Sequence, residues 1–312
     1  MRQDIKKTLF FVLNPISGGI EKSLLKETIQ EWTNENRYGF HLFETTGEND
    51  KDKLLDFLNG KELNQALIVA VGGDGTLKTT AEVSIELNLL ISFIPAGSAN
   101  GMARELEIKE LNFSMDWLAK RQIKTLLTNI INGKDQRLDV IRINDQMMLH
   151  LADFGLNARL IKDFDEEEDR GFSAYAKNAL RNLVQREAFT SYIETETERL
   201  EIETFMLAIA NAKRYGTGAV INPKGSLTDN TFELVAVKNL DWSTVLTSLT
   251  SIITDAAEYD SDQIDFHIAK KASIQLSRKV PFQVDGEYQG EVEHIDVECL
   301  PGRLRFRVPR KE

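Results

Sequence analysis

Up to about residue 130, short unbroken apolar runs alternate with stretches whose apolar residues recur at helical spacing. Leu9-Phe10-Phe11-Val12-Leu13, Ala66-Leu67-Ile68-Val69-Ala70-Val71 and Leu89-Leu90-Ile91-Ser92-Phe93-Ile94 are continuous enough for strands buried on both faces. The pattern predicts strands over 8–13, 41–46, 66–71 and 89–94. Helices are predicted over 21–35, from an Asn49-Asp50 cap to a stop at Gly60, over 77–90, and from Met102. Strands alternating with helices imply a mostly parallel sheet covered on both sides. From about Arg137 the period falls to two, in Leu138-Asp139-Val140-Ile141-Arg142-Ile143, Phe266-His267-Ile268, Ala272-Ser273-Ile274-Gln275-Leu276 and Ile295-Asp296-Val297-Glu298-Cys299. Strands with one wet face pair antiparallel, so this half predicts a β-sandwich or barrel, interrupted by helices over 172–187 and 244–257. The expectation is an α/β domain over 1–130 and an all-β domain over 131–300. The strand Leu304-Arg305-Phe306-Arg307-Val308, within 301–312, is a candidate to return to the first domain.

Three of the predicted strands run into glycine turns: Asn14-Pro15-Ile16-Ser17-Gly18-Gly19, Gly72-Gly73-Asp74-Gly75-Thr76 and Pro95-Ala96-Gly97-Ser98-Ala99-Asn100-Gly101. Ligands of parallel sheets gather at the carboxyl ends of the strands, where all three turns fall. Glycines let backbone N–H groups approach an oxyanion, which makes a phosphate the expected ligand.

Composition narrows the classes. The 312 residues are 42% hydrophobic and 28% charged, with a formal net charge of −11, which argues against a nucleic-acid partner and against attachment to anionic lipid by charge alone. One cysteine, Cys299, leaves no disulfide to form within the chain and reads as a small buried residue. No apolar run reaches the length of a membrane span, and the run after Lys6-Lys7 is too short for an export signal, so the expected place is the cytoplasm. The four histidines are scattered, which argues against zinc. The acidic run over 163–169 reads as a solvated loop.

In this order the three turns resemble the catalytic domain of the diacylglycerol kinase and sphingosine kinase family of lipid kinases. Leu138-Asp139, Phe154-Gly155-Leu156-Asn157-Ala158, residues 226–232 and Asp285-Gly286-Glu287 extend the resemblance over nearly the whole chain. Gly101 stands where the small diacylglycerol kinases usually carry Asp, and Thr228-Asp229-Asn230 stands where many members have Asp-Gly after a basic residue. The resemblance implies an N-terminal α/β domain like those of NAD kinases and phosphofructokinases, a C-terminal β-sandwich-like domain, and an active site in the cleft between them. It further implies ATP and Mg²⁺ as cofactors and a lipid substrate met by transient peripheral contact with a membrane. Homodimerisation is left open.

Phosphoryl transfer to an alcohol needs the phosphates held, a cation on their oxygens and a base for the hydroxyl proton. The N–H groups of Gly72, Gly73 and Gly75, with Ser17 and Gly18, are the expected phosphate cradle, joined by side-chain contacts from Asn14, Thr46, Thr76, Ser98 and Asn100. Asp74 is the candidate Mg²⁺ ligand, with helix capping as the alternative. Glu287 is the candidate general base, raised in proton affinity by partial burial, with a plain hairpin residue as the alternative. Which of these two takes the proton stays open. By the resemblance Asp139 joins the metal network or is structural, and Asp229 holds a second Mg²⁺ with carbonyls of Ser226 and Thr231 or is a solvated turn residue. Together these imply an ATP-dependent lipid kinase. The alternatives are a NAD-kinase-like phosphotransferase on a soluble substrate and a non-catalytic nucleotide- or lipid-binding module.

Overall fold

The computed structural model describes residues 7–19, 22–155, 158–159, 187–214, 220–238 and 264–311. The helices expected over 172–187, Glu187 apart, and over 244–257, the acidic run over 163–169 and the Leu156-Asn157 pair lie outside the described residues. The chain divides into two compact units, Met1–Leu138 with Gly302–Glu312, and Asp139–Pro301. The first division thus falls after Leu138 rather than near residue 130.

In the first unit the strands are β1 (Thr8–Leu13), β2 (Gly39–Glu44), β3 (Leu67–Gly72) and β4 (Leu90–Pro95). The helices are α1 (Ser23–Glu35), α2 (Asp50–Leu58), α3 (Asp74–Glu86), α4 (Gly101–Glu105) and α5 (Asp116–Ile131). β1 pairs in parallel with β2 on one side and β3 on the other, and β3 pairs in parallel with β4. Every residue of β3 and β4 is buried, as unbroken apolar runs require of strands covered on both faces. The chain moves outward from β1 in opposite directions, to β2 and to β4. Right-handed crossovers then place helices on opposite faces, and accordingly α1 packs on α5 while α2 packs on α3. The sheet's switch point lies between β1 and β3, where open parallel sheets bind ligands. The C-terminal residues do return to this unit: Arg305 and Phe306 pair in parallel with Leu90 and Ile91, and Phe306 is fully buried.

The second strand, expected over 41–46, lies at Gly39–Glu44, and the start of α3 and the cap of α2 differ from expectation for local reasons. α3 begins at Asp74, so Gly75 and Thr76 lie in its first turn and not in a loop before it. At α2 the N-cap Asn49 takes a left-handed backbone (φ 51°) and makes no capping bond; Asp50 instead accepts the N–H groups of Thr46 and Gly47 at 2.7 and 2.8 Å.

The second unit is antiparallel. Its strands β7 (Leu151–Gly155), β10 (Met206–Ala210), β11 (Phe232–Val237) and β12 (Ile264–Ala269) follow β5 (Lys134–Ile143) and β6 (Gln146–Met148); the first unit's boundary falls within β5. The hairpin β8 (Phe189–Thr195) and β9 (Arg199–Thr204) pairs with β13 (Lys271–Val284), which turns into β14 (Glu287–Val308). The order is β12-β11-β10-β7-β13-β14, antiparallel at each step. Its core holds Phe154 stacked on Phe282, with Phe189, Phe232, Leu234 and Cys299, so the lone cysteine is a packing residue. At Asp285-Gly286 both residues have positive φ, 53° and 87°, which is the two-residue turn expected from the sequence.

Candidate functional site

The three glycine turns of the first unit meet at the carboxyl ends of β1, β3 and β4. A methyl group on Gly97 would stand 2.4 Å from Gly73 Cα, and one on Gly18, whose φ is +66°, would stand 2.7 Å from the Ala96 carbonyl. Neither position has room for a side chain. Backbone bonds complete the contact: Asn14 N–H donates to Val71 at 3.0 Å and Ala96 N–H donates to Gly72 at 2.7 Å. The first N–H groups of a helix have no intrahelical acceptor, so those of Asp74, Gly75 and Thr76 open α3 as donors toward an anion.

Asp74 is the acid at this junction. Its Oδ2 accepts the Gly101 N–H at 2.7 Å and its Oδ1 the Met102 N–H at 3.1 Å. The carboxylate therefore caps the start of α4, the next helix along, and not its own. An ionised carboxylate offers about four acceptor positions, so two remain. That donor set suits Mg²⁺, which is held through one or two carboxylates plus phosphate oxygens and water.

Several polar side chains named from the sequence are spent on shaping the turns. Asn14 Oδ1 accepts the Ile16 N–H at 3.1 Å. Asn100, left-handed at φ 53° and buried, grips Gly97 twice, accepting its N–H and donating to its carbonyl, each at 2.9 Å. Thr76 Oγ1 is sealed beneath Gly72, where a methyl group would lie 2.4 Å from it, so Thr76 offers the ligand side its N–H and not the hydroxyl contact expected. The Thr46 hydroxyl has its one proton within reach of Asp50 Oδ1 and the Glu48 carbonyl and accepts from Lys53, a local loop role. Burial works to raise the Asp50 carboxyl, but the Thr46 and Gly47 donors outweigh it and hold it below the usual range. Ser98 is exposed at the tip of its turn.

Lys22 was not anticipated. It occupies the N-cap of α1, is 5% exposed, and donates from Nζ to the carbonyls of Ser17 at 2.7 Å and Ala96 at 3.0 Å. The Phe113 ring lies 5.9 Å from the ammonium. Burial lowers its pKa from the ordinary lysine value. A lysine is a poor N-cap by local rules, and its reach to Ala96 is visible only in three dimensions.

In the second unit Asp139 is 2% exposed on β5; its Oδ2 accepts the Asn230 N–H at 2.7 Å, and its N–H donates to Leu227 at 2.7 Å. Asp139 therefore pins the 226–231 loop. In that loop Asp229 Oδ1 accepts from the N–H and hydroxyl of Thr231, at 3.1 and 3.0 Å, Ser226 Oγ accepts the Thr228 N–H, and Asn230 is left-handed at φ 66°. No group of three or more His, Cys, Asp or Glu side chains among the described residues could hold a metal by itself. Glu287 opens β14 and is exposed, so the partial burial expected to raise its proton affinity is missing, because the tight turn carries it to the surface. Its neighbour Asp285 is the anchored acid, accepting the N–H groups of Leu149, His150 and Leu151 at 2.9–3.3 Å. Another buried acid escaped the sequence: Glu233, 5% exposed, accepts from Asn222 Nδ2 at 2.6 Å, and burial pushes its carboxyl up.

Among the described residues no helix is long and apolar enough to cross a membrane. Residues 8–143 match the diacylglycerol kinase catalytic domain, and residues 151–308 match the YegS C-terminal NAD kinase beta sandwich-like domain. A diacylglycerol kinase of Bacillus subtilis is 24% identical over 72% of each chain, and one of Staphylococcus saprophyticus is 23% identical over 94% of this chain and 95% of its own. A crystal structure of a diacylglycerol kinase from Bacillus anthracis covers 97% of each chain at TM-score 0.67 and 17% identity. A further solved chain from that organism reaches TM-score 0.75 at 20% identity, over 97% of each chain.

Proposed function

The chain belongs to the family of small bacterial lipid kinases that join a diacylglycerol kinase catalytic domain to a YegS-type C-terminal β-sandwich, and from that premise we propose that it transfers the γ-phosphate of ATP to the hydroxyl of a lipid such as a diacylglycerol or a sphingoid base. The observation that carries the reading is the junction around Asp74, where a carboxylate with two acceptor positions left stands among three closely packed glycine turns at the sheet's switch point. Such a junction suits a chain of phosphates with a divalent cation on them.

In this reading the N–H groups of Ser17, Gly18, Gly73, Gly75 and Thr76 hold the phosphates, while Gly72 and Asn100 keep the turns in shape. Asp74 would hold Mg²⁺, which when bound neutralises charge on the phosphoryl oxygens. Glu287 takes the proton of the lipid hydroxyl. Asp229, with the carbonyls of Ser226 and Thr231, would hold a second Mg²⁺ that locks its loop. Contact with the membrane is peripheral and lasts for a turnover.

The test is incubation with γ-labelled ATP and Mg²⁺, offering diacylglycerol, a sphingoid base, ceramide and a prenol in detergent micelles, with NAD in a parallel reaction. Label in one of the lipids supports the reading and names the alcohol. Label only in NAD, or tight ATP binding with no transfer to any acceptor, overturns it.

A further inference from the structure

Lys22 stands where local rules would not put it. The N-terminal end of a helix carries partial positive charge and favours a short polar or acidic cap, yet this N-cap is a buried lysine and the first turn of α1 contains no acid. No carboxylate among the described residues pairs with the ammonium. Residues that break a local rule and are held by well-made contacts mark places where the fold serves something other than stability.

Those contacts are specific. The ammonium has three N–H groups. One donates to Ser17 of the first glycine turn, one to Ala96 of the third, and the Phe113 ring lies near. The Ser17 hydroxyl, 3.2 Å from the Asn14 carbonyl, also lies 3.1 Å from that of Ala96, so the first turn and the cap of α1 each aim a side-chain donor at one carbonyl of the third. The place they close is where Gly18 and Gly97 leave no room for side chains. Neither glycine can pull the turns together, since each contributes only the absence of a clash. Backbone bonds tie each of the two turns to β3, and the direct attraction between the first and the third comes from these side-chain donors.

We infer that Lys22 is a positioning residue, an ammonium strap that holds the turn after β1 against the turn after β4 so that the N–H groups of Ser17 and Gly18 face the ligand of the junction. The strap follows from the geometry alone; that the ligand is a nucleotide phosphate rests on the reading above. Its positive charge adds to the helix end beside it, so the strapped junction favours an anion twice over.

Two measurements on the full chain separate the strap from the kinase reading. Amide hydrogen exchange of the ligand-free protein reports the turns directly. Lys22→Met accelerates exchange in both 14–18 and 95–100 while β3 and α5 exchange as before; unchanged exchange, or a change in only one turn, overturns the strap. Calorimetric titration with Mg²⁺-ATP then reads its purpose. A charge-assisted bond of this kind is worth about a tenfold change in affinity or more, so Lys22→Met weakens ATP about tenfold and raises KM for ATP. The KM for lipid and the kcat at saturating ATP stay within a few-fold. Equal ATP affinity in the two proteins, or a loss confined to kcat, overturns the positioning role. Where Lys22→Met fails to fold, Lys22→Gln, which keeps a shorter N–H donor, takes its place and is judged by the same readings. A wild-type chain that binds no ATP defeats the kinase reading, and the exchange experiment still judges the strap.

Discussion

Gly101 donates its backbone N–H to Asp74 at 2.7 Å, and Met102 donates to the other oxygen of the same carboxylate at 3.1 Å. The acid of the second glycine turn thereby fixes the helix that follows the third. Asp74 is thus a structural clasp and a candidate metal ligand at once, and its two roles call for different measurements. The clasp is tested by stability. In Asp74→Asn an amide N–H₂ faces one of two N–H donors, leaving that donor unsatisfied, so urea unfolding should show a loss of about 1–3 kcal/mol. An unchanged midpoint would mean the clasp contributes nothing.

The close approach of Gly97 and Gly73 predicts a second result. A methyl group on Gly97 must displace the Gly73 backbone, so Gly97→Ala separates the turns and weakens ATP about tenfold or more. Gly60 is the control. It is left-handed at φ +72° but has open space around it, so Gly60→Ala carries only backbone strain of about 1–2 kcal/mol and leaves ATP affinity as it was. Equal effects on ATP affinity would show that the contact between the turns is not what matters.

The strands that frame the site were legible because β1, β3 and β4 are continuous apolar runs, and a run of that kind has few places to go but the middle of a parallel sheet. The Asp285-Gly286 turn was legible because those two residue types suit a left-handed pair. The side-chain roles were not. Asn100 looks like a ligand and is a clasp on its own turn; Thr76 looks like a hydroxyl donor and is sealed under Gly72; Lys22 looks like any surface lysine until Ala96 is brought to it. For Lys22 the deciding contact is the Ala96 carbonyl of another turn, which spacing along the chain does not encode; for Asn100 and Thr76 it lies within their own turns, at Gly97 and Gly72, and depends on a backbone course that residue types alone do not state.

Glu233 predicts a pH dependence. Burial raises its carboxyl above the ordinary glutamate value of 4.5, against the pull of the Asn222 hydrogen bond. The folded state therefore keeps a proton that the unfolded state releases, and this group's contribution to stability falls as pH rises from the ordinary glutamate value through the raised one. Denaturant midpoints measured across that interval should fall less steeply in Glu233→Gln than in the wild type. Parallel curves would place the group outside the linkage.

Cys299 sits in the β-sandwich core at 6% exposure, with its thiol pushed up to about 12 by burial and by the nearby Asp139 and Asp229 charges. At pH 8 it should resist iodoacetamide in the native protein and react once urea unfolds the chain. Mass spectrometry after timed alkylation reads this directly, and rapid native labelling would show that the core opens there.

Asp74 is proposed to serve phosphoryl transfer from ATP to a lipid alcohol. The most direct measurement is the rate at which labelled γ-phosphate passes to diacylglycerol in mixed micelles, with and without Mg²⁺, for the wild type and for Asp74→Asn at a temperature where both are folded. Mg²⁺-dependent transfer is expected of the wild type, with a loss of about a hundredfold or more in the variant. Transfer by Asp74→Asn at the wild-type rate would contradict it.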